Sequence, residues 1–173
     1  KNNMVRKSNF KLDSKMIDAI YLDFDGVLTN NKFYLSQNGS EMVKLSRSDG
    51  LAFDYLRKIK IPTYIVSSEK NPIVKKRAKK LKINCYNSVS NKLFKIQQIS
   101  KKNNYKLSRS IFIGNDINDY AAMKACGYTF CPQDSHPLIK KISSCVISSN
   151  GGDGVIRNLV DNYFKINIKD ALY

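Results

Sequence analysis

Ala19-Ile20-Tyr21-Leu22-Asp23-Phe24-Asp25-Gly26-Val27-Leu28-Thr29 is the stretch on which the reading of the fold turns. Its first four residues make a short apolar run that stops at a carboxylate. Such a run reads as a buried strand with chemistry at its carboxyl end. Working outward, Phe33-Tyr34-Leu35 and Met42-Val43-Lys44-Leu45 flank Gln37-Asn38-Gly39. Asn-Gly between two strand-like segments signals a hairpin, because both residues tolerate positive φ. Asp49 then stands as a helix N-cap before Leu51, Tyr55 and Leu56. Further strands are predicted over 62–67, 83–86, 110–114, 128–131 and 145–147. Helices are predicted over 72–81, 92–103 and 119–126, from Pro137, and over 154–164. Strands alternating with helices predict an α/β fold, a Rossmann-like parallel sheet with helices on both faces. The early β-hairpin is an insertion after the first strand.

The 173 residues suit one domain with a sizeable core, expected over 17–173 behind a flexible lead-in over 1–16. No apolar run approaches the roughly 20 residues that cross a bilayer, and residues 1–18 lack the apolar stretch of a signal peptide. A cytoplasmic protein without membrane partners is expected. The net charge of +16 invites a nucleic-acid reading. However, the basic excess is 24 Lys against 6 Arg, scattered along the chain, and arginine is the usual base and phosphate clamp. Compositional bias on a solvated surface explains most of it, and no nucleic-acid partner is expected. Cys85, Cys126, Cys131 and Cys145 form no CxxC pair, and the lone His136 completes no metal pattern with them, so reduced thiols are expected.

Sheets of this kind carry their sites at the carboxyl ends of strands. Asp23 and Asp25 follow the first strand, Ser67-Ser68-Glu69 the second, Lys92 the third, and Gly114-Asn115-Asp116-Ile117-Asn118-Asp119 the fourth. Two carboxylates this close repel each other and resist burial. A hard cation such as Mg²⁺ relieves that repulsion and prefers oxygen ligands. Lys92 and the Ser67 hydroxyl would face the phosphate that such a cation attracts.

These residues resemble the motifs of the haloacid dehalogenase superfamily of phosphatases. Asp23-Phe-Asp25-Gly-Val-Leu-Thr29 resembles motif I, Ser67 motif II, Lys92 motif III, and Gly114 to Asp119 motif IV. The resemblance runs from about Ile17 to Tyr163. It is closest to the capless sugar-acid phosphatases, which act on 3-deoxy-D-manno-octulosonate 8-phosphate or on nonulosonate (sialic-acid-type) 9-phosphates. Asn38-Gly39, Ser48-Asp49-Gly50, Ser135-His136-Pro137 and Gly151-Gly152-Asp153-Gly154-Val155-Ile156-Arg157 are further marks of that subfamily.

The resemblance implies Asp23 as nucleophile, forming an aspartyl-phosphate, and Asp25 as the acid and base. It implies phosphate binding by Ser67 and Lys92. It implies Mg²⁺ held by Asp23, Asp25 and Asn115, with Asp116 able to contribute through water and Asp119 orienting metal-bound water. Asn115 is a departure, because the family carries Asp there.

For the substrate it implies Thr29, Asp49, Gly50, Glu69, Arg77, Lys80 and Arg157. Octulosonate phosphatases carry Thr-Gly-Arg where this chain has Ser67-Ser68-Glu69. Glu69 with Arg77 and Lys80 resembles the nonulosonate 9-phosphate phosphatases. A nine-carbon keto-sugar acid 9-phosphate is therefore the expected substrate, with octulosonate 8-phosphate as the alternative. These substrates belong to sialic acid and lipopolysaccharide biosynthesis. The subfamily further implies a homotetramer built through the hairpin 31–45. A different reading is a non-catalytic, oligomerising phosphatase-like domain such as those fused behind acylneuraminate cytidylyltransferases. The Lys1 start fits such an origin or a stand-alone relative.

Overall fold

The computed structural model describes residues 11–165 and 169. At its centre Ala19–Leu22 (β1) is buried at every position, between Thr63–Val66 (β4) on one side and Ser110–Ile113 (β6) on the other. Both pairings are parallel, with Leu22 opposite Ile65 and Ile113. Asn84–Tyr86 (β5) extends the sheet beyond β4, while Tyr128–Cys131 (β7) and Cys145–Val146 (β8) extend it beyond β6. The order β5-β4-β1-β6-β7-β8 makes this the predicted parallel α/β sheet. The chain leaves β1 in one direction and returns for β6 in the other. The crevice of such a switch point opens at the carboxyl end of β1, directly over Asp23.

Period-two alternation along β1 divides the core into two layers. Ile20 and Leu22 pack with helices Ser48–Lys58 (α1), Ile73–Leu81 (α2) and Val155–Tyr163 (α6). Ala19 and Tyr21 face helices Lys92–Asn103 (α3), Tyr120–Ala125 (α4) and Pro137–Ile142 (α5). The second layer holds a tyrosine stack, Tyr21 on Tyr64 on Tyr86, with the Tyr21 hydroxyl 2.8 Å from Ser100 Oγ.

The hairpin comprises Thr29–Leu35 (β2) and Glu41–Leu45 (β3), paired antiparallel apart from the main sheet. Its tip is one residue longer than a two-residue Asn-Gly turn, with Gln37, Asn38 and Gly39 between Ser36 and Ser40. Gly39 carries the positive φ of +80°, and Ser36 and Ser40 close the turn at 3.0 Å.

Two expectations change. Residues 11–16, expected as loose lead-in, are anchored: Leu12 is buried and hydrogen-bonds through its backbone to Tyr163 and Lys165. Residues 1–10 of that lead-in lie outside the described residues. Asp49 was expected to cap its own helix, yet α1 begins at Ser48 and has no side-chain cap. The Asp49 carboxylate turns instead to the start of α6 and accepts from Arg157 N at 2.9 Å.

Candidate active site

Motif I is a turn whose shape is fixed by its own hydroxyl. Thr29 Oγ1 accepts from Gly26 N at 3.2 Å and Asn31 N at 3.1 Å, and donates to Asp25 Oδ1 at 3.0 Å. Thr29 is fully buried, so this expected substrate contact acts on Asp25 from behind the turn. Gly26 takes φ +78°, and a Cβ there would lie 1.9 Å from Asn115 Nδ2. The first and fourth strand ends therefore touch through a glycine that cannot be enlarged. The turn is backed by the Gly151–Gly154 loop. Gly152 N donates to Val27 O at 3.0 Å, and a Cβ on Gly151 would lie 2.3 Å from Gly26 O. This support is not legible in the sequence, where Gly151 to Gly154 stand only as marks of the resemblance.

Lys92 opens α3, whose N-cap Asn91 accepts from Phe94 N at 2.9 Å. Its buried ammonium sits between two carboxylates, 2.8 Å from Asp23 Oδ2 and 2.6 Å from Asp119 Oδ1. Asp119 Oδ2 accepts from Asn115 N at 2.9 Å, so one side chain ties the third and fourth strand ends together. Asp23 Oδ1 is fixed by Phe24 N at 2.7 Å.

Burial, reinforced by Asp119, pushes the Asp23 carboxyl up to about 7, against the pull of Lys92. Burial alone would lower the Lys92 ammonium, but the two carboxylates outweigh it and raise it. Two carboxylates thus share one buried cation. Burial also raises Asp25, opposed by the Thr29 hydrogen bond. A raised carboxyl suits a group that must donate a proton and then recover it.

An open cleft of about 570 Å³ covers these strand ends. It is lined by Asp23, Asp25, Ser67, Glu69, Asn115 and Asp116, among others. Ser67 Oγ accepts from Glu69 N at 3.1 Å, and Glu69 Oε1 is engaged by the backbone N–H groups of Lys70 and Asn71.

Five expected substrate contacts lie away from this cleft. Asp49 is buried under α6, and Gly50 follows it in α1. Arg77 donates to Ser46 O at 2.7 Å, held close to Asp49. Lys80 is exposed and outside the cleft lining. The Arg157 guanidinium pairs with Asp161 at 2.6 Å. Within the chain, Glu69 is the one of the expected substrate residues that lines the cleft.

The fit of a divalent cation can be read from one atom. Asn115 Oδ1 is buried beside the cleft and has no hydrogen-bond partner, an arrangement that costs free energy unless something else satisfies it. With the Asp23 carboxylate and the backbone carbonyl of Asp25 it would complete an all-oxygen donor set, which suits Mg²⁺. Among the described residues no group of three His, Cys, Asp or Glu side chains is placed to hold a metal.

Residues 58–159 match the haloacid dehalogenase-like hydrolases. A 3-deoxy-D-manno-octulosonate 8-phosphate phosphatase of Salmonella typhi is 28% identical over 146 residues, 84% of this chain and 78% of its own. Among solved structures, a hydrolase of the same family from Streptomyces avermitilis superimposes with a TM-score of 0.86 at 31% identity, covering 88% of both chains. The 3-deoxy-D-manno-octulosonate 8-phosphate phosphatase of Moraxella catarrhalis has a TM-score of 0.82 at 25% identity, covering 86% of both. That structure holds a magnesium ion, a phosphate ion and the sugar acid. With the motif residues gathered at one sheet edge and the match spanning more than half its length, the chain belongs to the haloacid dehalogenase-like hydrolases, as a phosphatase of that family.

Proposed function

We propose that the chain hydrolyses the phosphomonoester of a keto-sugar acid. The observation that carries this is the Asp23–Lys92–Asp119 bridge, set beside Asp25 and the unpartnered oxygen of Asn115. Asp23 attacks phosphorus as the bond to the sugar oxygen breaks, and Asp25 gives that oxygen its proton. Asp25, now a carboxylate, takes a proton from water as the water attacks the aspartyl-phosphate. This releases inorganic phosphate and restores both side chains. Ser67 and Lys92 bind the phosphoryl oxygens, and Asp119 holds Lys92 and the backbone of Asn115 in place. Asp23, Asp25 and Asn115 would hold Mg²⁺, with Asp116 beside them. The ion, when bound, supplies positive charge that offsets repulsion between Asp23 and the phosphate dianion.

Asn115 gives this reading its first test. An uncharged ligand weakens a Mg²⁺ site relative to a carboxylate. Asn115→Asp is expected to lower the Mg²⁺ concentration for half-maximal phosphate release by about tenfold, since ligand charge tunes affinity. Wild-type activity should vanish in chelator. An unshifted Mg²⁺ curve would remove Asn115 from the ligand set.

Octulosonate 8-phosphate takes precedence as substrate. The named relatives act on it, and the Arg77 and Lys80 half of the nonulosonate argument faces elsewhere. A nonulosonate 9-phosphate stays as second reading because Glu69 lines the cleft. The non-catalytic alternative is disfavoured by the retained Asp23, Asp25 and Lys92 geometry.

The proposal includes a homotetramer through the hairpin. Tyr34 and Met42 pair on the hairpin face opposite the cleft and are 73% and 61% exposed. Apolar side chains of that size in adjacent positions mark an interaction surface. Sedimentation under assay conditions should give four chains per particle, and an active monomer would contradict it. A cytoplasmic setting is supported by four cysteines that form no disulfide. No helix among the described residues is long and apolar enough to cross a membrane.

A further inference from the structure

The Gly151–Gly154 loop presses on motif I, and two carboxylates with no part in the chemistry hold that loop. At one end, Gly151 N donates to Asp134 Oδ1 at 2.9 Å. Asp134 lies in the connection between β7 and α5, next to the strand that ends at Asn115. At the other end, the Asp49 carboxylate accepts from Arg157 N at 2.9 Å and from Ile156 N, in the first turn of α6. Neither carboxylate lines the cleft.

Between these ends the loop has no room to shift. Gly151 and Gly152 are buried, and a Cβ on Gly152 would lie 2.6 Å from Asn30 N. The contacts then run on to the metal ligands. Gly26, against which Gly151 packs, abuts the amide nitrogen of Asn115. The position of the turn therefore decides how that amide lies, with its unpartnered Oδ1 left for a cation. The β7–α5 connection also reaches both sides of this contact. His136 N donates to Asn115 O at 2.9 Å, and Gln133 N donates to Ser149 O at 3.0 Å.

Asp49 is held at a cost. It is 1% exposed, and its Oδ2 has no hydrogen-bond partner. Burial pushes its carboxyl up to about 6, against two backbone N–H groups and Arg77. A buried polar group left half satisfied calls for a reason, and the helix start that it holds supplies one. Asp134 is exposed, so its contact with Gly151 can be removed without opening the core.

We propose that Asp134 and Asp49 are positioning residues, which clamp the two ends of the Gly151–Gly154 loop and through it set the motif I turn and the Asn115 amide for Mg²⁺. This rests on the Mg²⁺-dependent phosphatase reading above.

The test compares wild type, Asp134→Ala, Asp134→Asn, Asp49→Ala and the double alanine variant on p-nitrophenyl phosphate, with Mg²⁺ varied. Mg²⁺ binding is read separately, without substrate, from the rise of the thermal midpoint with Mg²⁺. Removing a support behind a metal ligand costs about tenfold in affinity at the low end. In Asp134→Ala the Mg²⁺ concentration for half-maximal phosphate release should rise by about that factor, and so should the Mg²⁺ needed to lift the midpoint. Most of the rate should return at saturating Mg²⁺. Asp134→Asn keeps an oxygen for Gly151 N and should stay within about threefold of wild type, having lost only the charge on that bond. Asp49→Ala should shift the Mg²⁺ curve in the same direction. The double variant should fall short of the product of the two single effects, because both act on one loop. An unchanged Mg²⁺ curve in Asp134→Ala overturns the proposal. So does a rate loss that saturating Mg²⁺ leaves in place, or a double variant at the full product. If Asp49→Ala fails to fold, the two Asp134 variants decide. If wild type releases no phosphate while Mg²⁺ binding still weakens in Asp134→Ala, the phosphatase reading fails and the clamp stands. If Mg²⁺ neither lifts the wild-type midpoint nor supports phosphate release, both fall.

Discussion

Asp23→Asn is expected to lower kcat by about 10⁴-fold or more, because an amide cannot form the acyl-phosphate bond on which turnover depends. The substitution is nearly isosteric, and Phe24 N keeps its acceptor at Oδ1. The new amide nitrogen faces the Lys92 ammonium, a donor against a donor. A buried charge is removed at the same time, at a position where burial already disfavours the carboxylate. These effects oppose each other, so the thermal midpoint should move by only a few degrees. Binding of inorganic phosphate should persist, since the repulsion between Asp23 and the dianion is gone. Phosphate release above about a tenth of wild type would place the nucleophile elsewhere, because losing a covalent step costs far more than that.

Lys92→Met carries the second large effect, and here stability and rate fall together. The substitution leaves Asp23 and Asp119 buried near each other with no cation between them. Removing one partner of a buried ion pair costs about 3–5 kcal/mol. A phosphoryl-binding ammonium contributes on the order of 10³-fold to turnover.

The pH dependence identifies the cause. A carboxyl raised in the folded state makes the native protein bind more protons than the unfolded chain. Stability then falls as pH rises through the interval between the ordinary carboxylate value and the raised one. Asp23 already stands near 7 with Lys92 present, and the loss of Lys92 moves it further up. In chelator, the Lys92→Met protein should therefore be closer to wild type in thermal midpoint at pH 5 than at pH 8. An equal deficit at both values would show that the lysine stem, rather than its charge, supports the fold.

The parts of the site that were legible in the sequence share one property: each is set by local chain. Asp23 and Asp25 end a run that can only be a buried strand, and Lys92 begins a helix behind its own Asn cap. Strand alternation with helices was equally local, and it predicted the parallel sheet, though not the order of its strands. What could not be read are contacts across long separations. Asp49 looks like the cap of its own helix, yet it serves a helix start 108 residues away. The resemblance implies Arg77 as a substrate contact, yet within the chain its guanidinium is held by Ser46 O and lies near Asp49. The resemblance implies Thr29 as a substrate contact, and only the turn's geometry makes it the anchor of Asp25.

The charge of +16 has a narrower meaning in this setting. Lys92 is held at the site between Asp23 and Asp119, and five carboxylate residues line the cleft, so the site is acidic while the chain as a whole is basic.

The most direct measurement is phosphate release in Mg²⁺ from octulosonate 8-phosphate, a nonulosonate 9-phosphate and glucose 6-phosphate under one set of conditions. The account predicts kcat/KM on a keto-sugar acid about a hundredfold or more above that on glucose 6-phosphate, because contacts to a second charged group add to transition-state binding. It predicts the higher value for octulosonate 8-phosphate. Equal kcat/KM on all three, or release that continues in chelator, would contradict it.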